Sequence, residues 1–190
     1  MEEAELIARC KAADPAAQVE LFRLYSERVG RFVLRLAGPG GDAEDLTQET
    51  FIRAYGGIAN FRGESAVSTW LCAIAVRVVR ESRRREMRRR SIMDGYAGLG
   101  GLAEWLFGAS RGQRREEADR RGDEARLVYE VLDRLPEIFR GVLILHEMED
   151  MSGPEIAAVL GVSENTVWTR LHRARKMFRQ VAKGLGYGPG

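Results

Sequence analysis

Between Asn165 and Lys176 the chain carries an amide, two threonines, a tryptophan, a histidine, three arginines and a lysine on what reads as one helix. These side chains suit recognition rather than bond breaking. Asn, Thr and Arg offer directed hydrogen bonds to base edges in a DNA major groove, while Arg and Lys neutralise phosphates and release counterions. Across Glu164–Lys183 six Lys or Arg face a single acid, so this stretch carries a local charge of +5. Bond-making chemistry has no comparable support. His146-Glu147 begins like a zinc-protease helix, but Asp150 stands where the second histidine belongs, and neither a phosphate-binding loop nor a Ser/His/Asp or Cys/His grouping is present. The expectation is a protein that is not an enzyme, with no metal site and no cofactor.

The basic helix needs elements that hold it out toward a groove, and its own flanks supply them. In Met151–Phe178 Ser152 and Glu155 spell a capping box, followed by an apolar stripe of Ile156, Ala157 and Leu160. Gly161 marks a turn that favours positive φ. Ser163 caps the second helix, with Thr166 in place of the usual acid, and Val167, Leu171, Ala174 and Phe178 face inward at spacings of three and four. The whole is a helix-turn-helix whose second helix is the reading element.

The remainder also reads as helix. Asp14-Pro15 caps a segment in which Phe22, Tyr25, Val29, Phe32, Val33 and Leu36 recur at helical spacing as far as Gly38-Pro39-Gly40-Gly41. Asp42 starts another, with acids in its first turn and Leu46, Phe51, Ala54, Tyr55 and Ile58 on its apolar side. A third begins near Ala66, turns Val67, Trp70, Leu71, Ile74 and Val78 inward, and runs into the basic stretch Arg83–Arg90, read as a solvated or nucleic-acid-facing extension. Glycines at 95, 98, 100, 101, 108, 112 and 122 oppose stable helix and make residues 91–122 a linker. Its apolar patch Leu102–Phe107 docks either on its own chain or on a partner. Beyond it, Val128, Val131, Leu132 and Leu135 form one stripe, and Pro136 opens a helix with Ile138, Val142, Leu143 and Leu145 inside.

The expected fold class is therefore all-α, two small helical domains joined by a flexible linker: residues 1–90, a Gly-rich linker 91–122, a four-helix domain 123–183 and a disordered tail 184–190. Net charge is only +2, but residues 1–50 hold ten acids against six bases while Arg80–Arg90 holds seven arginines against two acids, so at least one partner surface is polyanionic. Cys10 and Cys72 match no zinc or disulfide pattern and read as reduced, buried, small apolar residues. The acidic start MEEAELIARCK is not a signal peptide, and no apolar run approaches a membrane span, so a soluble cytoplasmic protein without membrane insertion is expected.

Two strings resemble the extracytoplasmic-function (ECF) sigma factors, the small promoter-recognition subunits of bacterial RNA polymerase. One is Ala43–Arg85, with D-x-x-Q-E-x-F at Asp45, Gln48, Glu49 and Phe51, then F-R-G-E-S and T-W-L-x-x-I-A. The other is Leu135–Arg179, with L-P and S-x-x-E-I-A-x-x-L-G-V-S-x-x-T-V-x-x-R-L-H-R-A-R. The resemblance implies that the first domain binds core RNA polymerase through Asp45, Gln48 and Glu49 and opens the minus-ten region of promoter DNA. The second domain would then read the minus-thirty-five element as duplex. Thr169, His172 and Arg173 match family positions that approach that element; Arg170, Asn165 and Thr166 join them, and Arg175 and Lys176 are phosphate contacts.

Melting needs a loop that accepts an unstacked base and a helix that tracks one strand by charge. Asn60, Phe61, Arg62 and Ser65 supply the loop, with Arg77, Arg80, Arg83 and Arg84 beside it; the alternative for Phe61 is a loop anchor packed on the core, and for His172 an ordinary exposed residue. The chain departs from the family pattern at Val67, Arg77 and Trp168, and the last two bear on promoter preference. The resemblance also implies an anti-sigma factor wedged between the domains, which could hold the chain at the membrane. The rival reading is a stand-alone helix-turn-helix regulator with a helical sensor domain. It predicts a dimer on a palindromic operator and leaves D-x-x-Q-E-x-F unexplained.

Overall fold

A computed structural model of the chain describes residues 2–38, 42–94 and 123–186, with 89–94 and 123–126 as backbone only. Among them the secondary structure is helical throughout. It comprises α1 (Glu3–Lys11), α2 (Pro15–Ala37), α3 (Ala43–Gly57), a single 3-10 turn (Ile58–Asn60), α4 (Val67–Asp94), α5 (Asp123–Arg134), α6 (Glu137–Glu147), α7 (Gly153–Leu160) and α8 (Glu164–Gly184). The patch Leu102–Phe107, the rest of 95–122 and the tail from 187 lie outside the described residues.

Local chemistry sets the helix starts. The Asp14 carboxylate accepts from the N–H groups of Ala16 (2.9 Å) and Ala17 (3.4 Å), with Pro15 in the first turn. Asp42 does the same for Glu44 and Asp45, both at 3.1 Å. Each cap satisfies N–H groups that a helix start leaves without an intrahelical partner. Arg9 reaches Asp14 at 2.7 Å and so clips α1 onto the start of α2; this hydrogen-bonded guanidinium holds the Asp14 carboxyl below its ordinary value.

The helix α1 is absent from the sequence reading, although Leu6, Ile7 and Cys10 are buried at helical spacing. Cys10 and Cys72 are buried free thiols, and burial pushes the Cys72 thiol up to about 12. Ile138 corrects the expectation that it lies inside: it is 50% exposed in the first turn of α6, while Val142, Ile144 and Leu145 are fully covered. The period that groups Ile138 with Val142 overshoots the packed surface by one turn. Phe22 is also exposed, at 41%, with its ring centroid 4.9 Å from that of Phe51 in an edge-on arrangement.

The two helical domains do not stand apart. Helix α2 packs on α6 and α4 on α7, and one buried apolar cluster runs through both halves, from Leu21, Phe32 and Leu71 to Ile144, Ile156 and Leu171. The end of α2 is where they meet most closely. Arg83 of α4 donates to the Ala37 carbonyl at 2.6 and 3.2 Å, and Arg140 of α6 points at the Leu36 carbonyl at 3.5 Å. Two guanidinium groups thus lie at the negative end of the α2 macrodipole. Gly38 leaves room for them: at φ 70° it adopts a left-handed backbone, and a Cβ there would stand 2.1 Å from Arg140 Nη1 and 2.6 Å from Arg83 Nη2.

Candidate nucleic-acid interface

The reading helix is built as its sequence implies. Ser152 and Glu155 close a reciprocal capping box at the start of α7, with the Ser152 N–H and hydroxyl donating to Glu155 at 2.9 and 2.7 Å. Gly161 ends α7 in the left-handed region at φ 66°. Ser163 then caps α8 through the Thr166 N–H (3.3 Å), and the two hydroxyls sit 2.8 Å apart.

These hydrogen bonds hold the Glu155 carboxyl below its ordinary value. A carboxyl lowered by folding contributes stability that is complete above the unfolded-state value and lost as pH falls through the folded one. Acidification below the ordinary carboxylate range is therefore expected to loosen the start of α7. Ser152→Ala should cost about 0.5–2 kcal/mol at neutral pH, and the part of that penalty that comes from the Ser152–Glu155 hydrogen bond should be lost in acid. Thermal unfolding of both chains at several pH values checks this; a pH-independent difference would contradict it.

On α8, Val167, Leu171 and Ala174 are buried to 1% exposure or less, which fixes the rotation of the helix. Asn165, Thr169, His172, Arg173, Arg175 and Lys176 are exposed, whereas Thr166 and Arg170 are half-buried at the margin. Thr169 also donates to the Asn165 carbonyl at 2.9 Å. Arg175 is held by Glu147 at the end of α6, at 2.5 and 2.8 Å, so a phosphate would have to compete with that carboxylate.

Trp168 sits on the flank of α8 rather than its centre. Its Nε1–H donates to Glu164 (3.1 Å), its ring meets His146 edge-on at 5.8 Å, and a Cβ on Gly153 would fall 2.6 Å from its Cζ2. The indole therefore locks α8 against the end of α6 and the start of α7. Sequence reading missed Gly153 in this role, since the only signal is a small residue inside a capping box.

The second group lies on the N-terminal half. Asn60, Arg62 and Ser65 are exposed, and Gly63 takes φ 74° at the loop tip. Phe61 is not presented to solvent. It is 8% exposed, 5.1 Å from the Trp70 ring, and its N–H donates to the Ile58 carbonyl at 3.0 Å, which makes it the anchor of the loop. Arg77 and Arg84 are exposed on one face of α4, seven residues apart. Arg80 and Arg83 are turned toward the other domain, with Glu137 3.9 Å from Arg80 and 2.9 Å from Arg83, so Arg83 departs from the expectation of a solvated or nucleic-acid-facing extension from Arg83 on.

On α3, Asp45, Gln48 and Glu49 line one groove with Ile52 and Arg53, closed on the far side by Val78, Ser82 and Arg85 of α4. Arg53 bridges Glu49 and Glu81, both at 2.7 Å, and so fixes the Glu49 carboxylate. Ile52 is 64% exposed beside these polar groups. Sequence reading passed over it, although its spacing from Gln48 and Glu49 puts it on the same face.

Comparison with known proteins identifies the family and the fold. Residues 21–89 match the family described as Sigma-70 region 2, and residues 125–178 match Sigma-70, region 4. The ECF RNA polymerase sigma-E factor of Escherichia coli K12 is 34% identical over 177 residues, covering 90% of this chain and 89% of its own. Among solved structures, CnrH in complex with the cytosolic domain of CnrY shares the fold at a TM-score of 0.65 and 23% identity, covering 94% of this chain and 96% of its own. The sigma factor RpoE in complex with the anti-sigma factor NepR from Bartonella quintana does so at 0.60 and 21%, covering 86% and 95%.

Proposed function

The chain belongs to the extracytoplasmic-function (ECF) family of RNA polymerase sigma factors, and from that premise we propose how its two domains divide the work at a promoter. As a sigma factor it directs promoter-specific transcription initiation by RNA polymerase, a DNA-binding role. Residues 1–90 grip core polymerase through Asp45, Gln48 and Glu49, with Ile52 adding an apolar contact. The same domain opens the minus-ten region, with Asn60, Arg62 and Ser65 around the displaced base and Arg77, Arg80 and Arg84 along the strand. Phe61 serves this loop by holding its base on Trp70. Residues 123–183 read the minus-thirty-five element through α8, and residues 91–122 tether the two.

The observation that carries this reading is the rotation of α8. Its apolar residues are buried to 1% exposure or less, while Asn165, Thr169, His172 and Arg173 stand outward together. Base readout then predicts that Arg173→Ala costs about 1–3 kcal/mol on the upstream element and relaxes preference at one position. Equilibrium binding to a set of single-base variants measures it. An equal loss on every sequence would make Arg173 a phosphate contact instead.

A separate anti-sigma factor regulates the chain by covering both DNA-facing surfaces, a reading supported by the partner with which the Bartonella relative was solved. Adding such a partner should abolish promoter-directed transcript; transcription unaffected by it would remove this part. The protein acts in the cytoplasm, where polymerase is. No helix among the described residues is long and apolar enough to cross a membrane.

A further inference from the structure

Among the described residues, Trp168 is the one large apolar side chain that α8 leaves exposed, at 45%. Burial of Val167, Leu171 and Ala174 sets its place on the helix. Asn165, three residues before it, and His172, four residues after it, are both exposed and neighbour it on one side of α8. The indole therefore borders the reading face, on the side nearest the start of α7.

An exposed side chain ordinarily samples several rotamers, but this one is pinned on three sides. Its Nε1–H donates to Glu164 one turn back (3.1 Å), and its ring meets His146 edge-on at 5.8 Å. Its six-membered ring lies over Gly153, where a Cβ would stand 2.6 Å from Cζ2 and 3.0 Å from Glu164 Oε1. Gly153, Glu164 and Trp168 thus close up as one unit. The ring face left open is held in place before any ligand arrives, so a contact there loses little rotamer entropy.

The chemistry of that face selects its ligand. The indole has a single hydrogen-bonding group, and Glu164 already occupies it. What remains is apolar surface. Among the base edges in the major groove, the C5 methyl of thymine is the apolar feature, and the rest present donors and acceptors. A phosphate is the poorer occupant, because the ring carries no charge and the Glu164 carboxylate beside it repels anions. An arginine or lysine at this position would do the opposite: neutralise a phosphate and read no sequence.

We infer that Trp168 is a specificity-determining residue, reading one thymine of the upstream element through its C5 methyl. Gly153 and Glu164 are its positioning residues: one gives the ring room and the other fixes its tilt. The inference rests on the sigma-factor reading above, in which α8 lies in the groove, and adds an apolar contact to the polar ones made by Asn165, Thr169 and Arg173.

The test uses core polymerase carrying the full chain, bound to a promoter mapped by run-off transcription. Each upstream thymine is replaced in turn by deoxyuridine, which removes the methyl and nothing else. At one position the loss should weaken binding by the native chain about three- to four-fold, the value of one buried methyl group. Trp168→Ala should be indifferent to that methyl, and Trp168→Phe, which keeps a ring, should retain part of the discrimination. Irradiation of 5-bromodeoxyuridine at the same position should crosslink the chain through the peptide that holds Trp168. Circular dichroism verifies that each variant is folded, and the deoxyuridine and crosslinking measurements on the native chain stand without the variants.

Binding that no upstream methyl affects, a methyl effect undiminished in Trp168→Ala, or a crosslink that maps to another residue overturns the inference. If the native chain ignores every methyl while Trp168→Ala weakens all duplexes equally, the indole is a helix lock alone and the sigma-factor reading stands. If the native chain neither binds polymerase nor prefers any upstream sequence, that reading fails first.

Discussion

Replacing Phe51 with alanine is expected to lower the unfolding free energy by about 3–5 kcal/mol and to weaken polymerase binding with it. Phe51 is 2% exposed, with ring centroids of Phe22 at 4.9 Å and Tyr55 at 6.2 Å. It packs inward one turn after Gln48 on α3, so it supports the surface proposed to meet polymerase. The cavity left by the ring removes that backing. The Tyr55 hydroxyl, which donates to the Gln18 carbonyl at 3.0 Å, would still tie α3 to α2. Urea denaturation measures the first effect and a polymerase-binding titration the second. A midpoint like that of the native chain would show that Phe51 is not part of the core.

Reversing the charge of Glu49 is the second large effect. Glu49→Arg should leave the fold intact, since the side chain is 41% exposed, and should weaken core-polymerase binding by about 2–4 kcal/mol, roughly 30- to 1,000-fold. Arg53 already lies 2.7 Å from Glu49 and Arg85 lines the same groove, so the substitution gathers three cations where a carboxylate stood. Like charges so placed would also push Arg53 onto Glu81 alone. Affinity for core polymerase, measured with thermal stability in parallel, decides the matter. A stable variant that binds as well as the native chain would place the interface elsewhere than α3.

What could be read without coordinates was local in sequence. Ser152 with Glu155, Gly161 and Ser163 define the helix-turn-helix within about a dozen residues, because caps and a left-handed turn are settled by neighbours. The apolar periods of α2, α3 and α8 place most of the core for the same reason. Phe61 was ambiguous because an aromatic in a loop can face either way, and only the position of Trp70 decides it. The pairings between the two halves were not legible. Glu149 meets Arg28 across 121 positions, and Arg83 meets Glu137 across 54. An arginine destined for a carboxylate has the same sequence signature as one destined for a phosphate.

The same distinction explains the candidate site. Asn165, Thr169, His172 and Arg173 are legible as one outward face because helical spacing separates them from the buried Val167 and Leu171. Arg175 reads in sequence as a phosphate contact, whereas in the fold it is paired with Glu147, a residue of another helix. Gly153 and Ile52 were passed over, one because its close contact with Trp168 is tertiary, the other because a single exposed apolar residue carries no pattern.

The most direct test of the two-domain account is run-off transcription by purified core polymerase with this chain added, on fragments of the source genome, with permanganate mapping of the melted strand. The account predicts discrete start sites, each with unpaired thymines near minus ten and a shared duplex element about one spacer upstream. A chain that fails to associate with core polymerase, and leaves its transcripts no different from those of core enzyme alone, would contradict it.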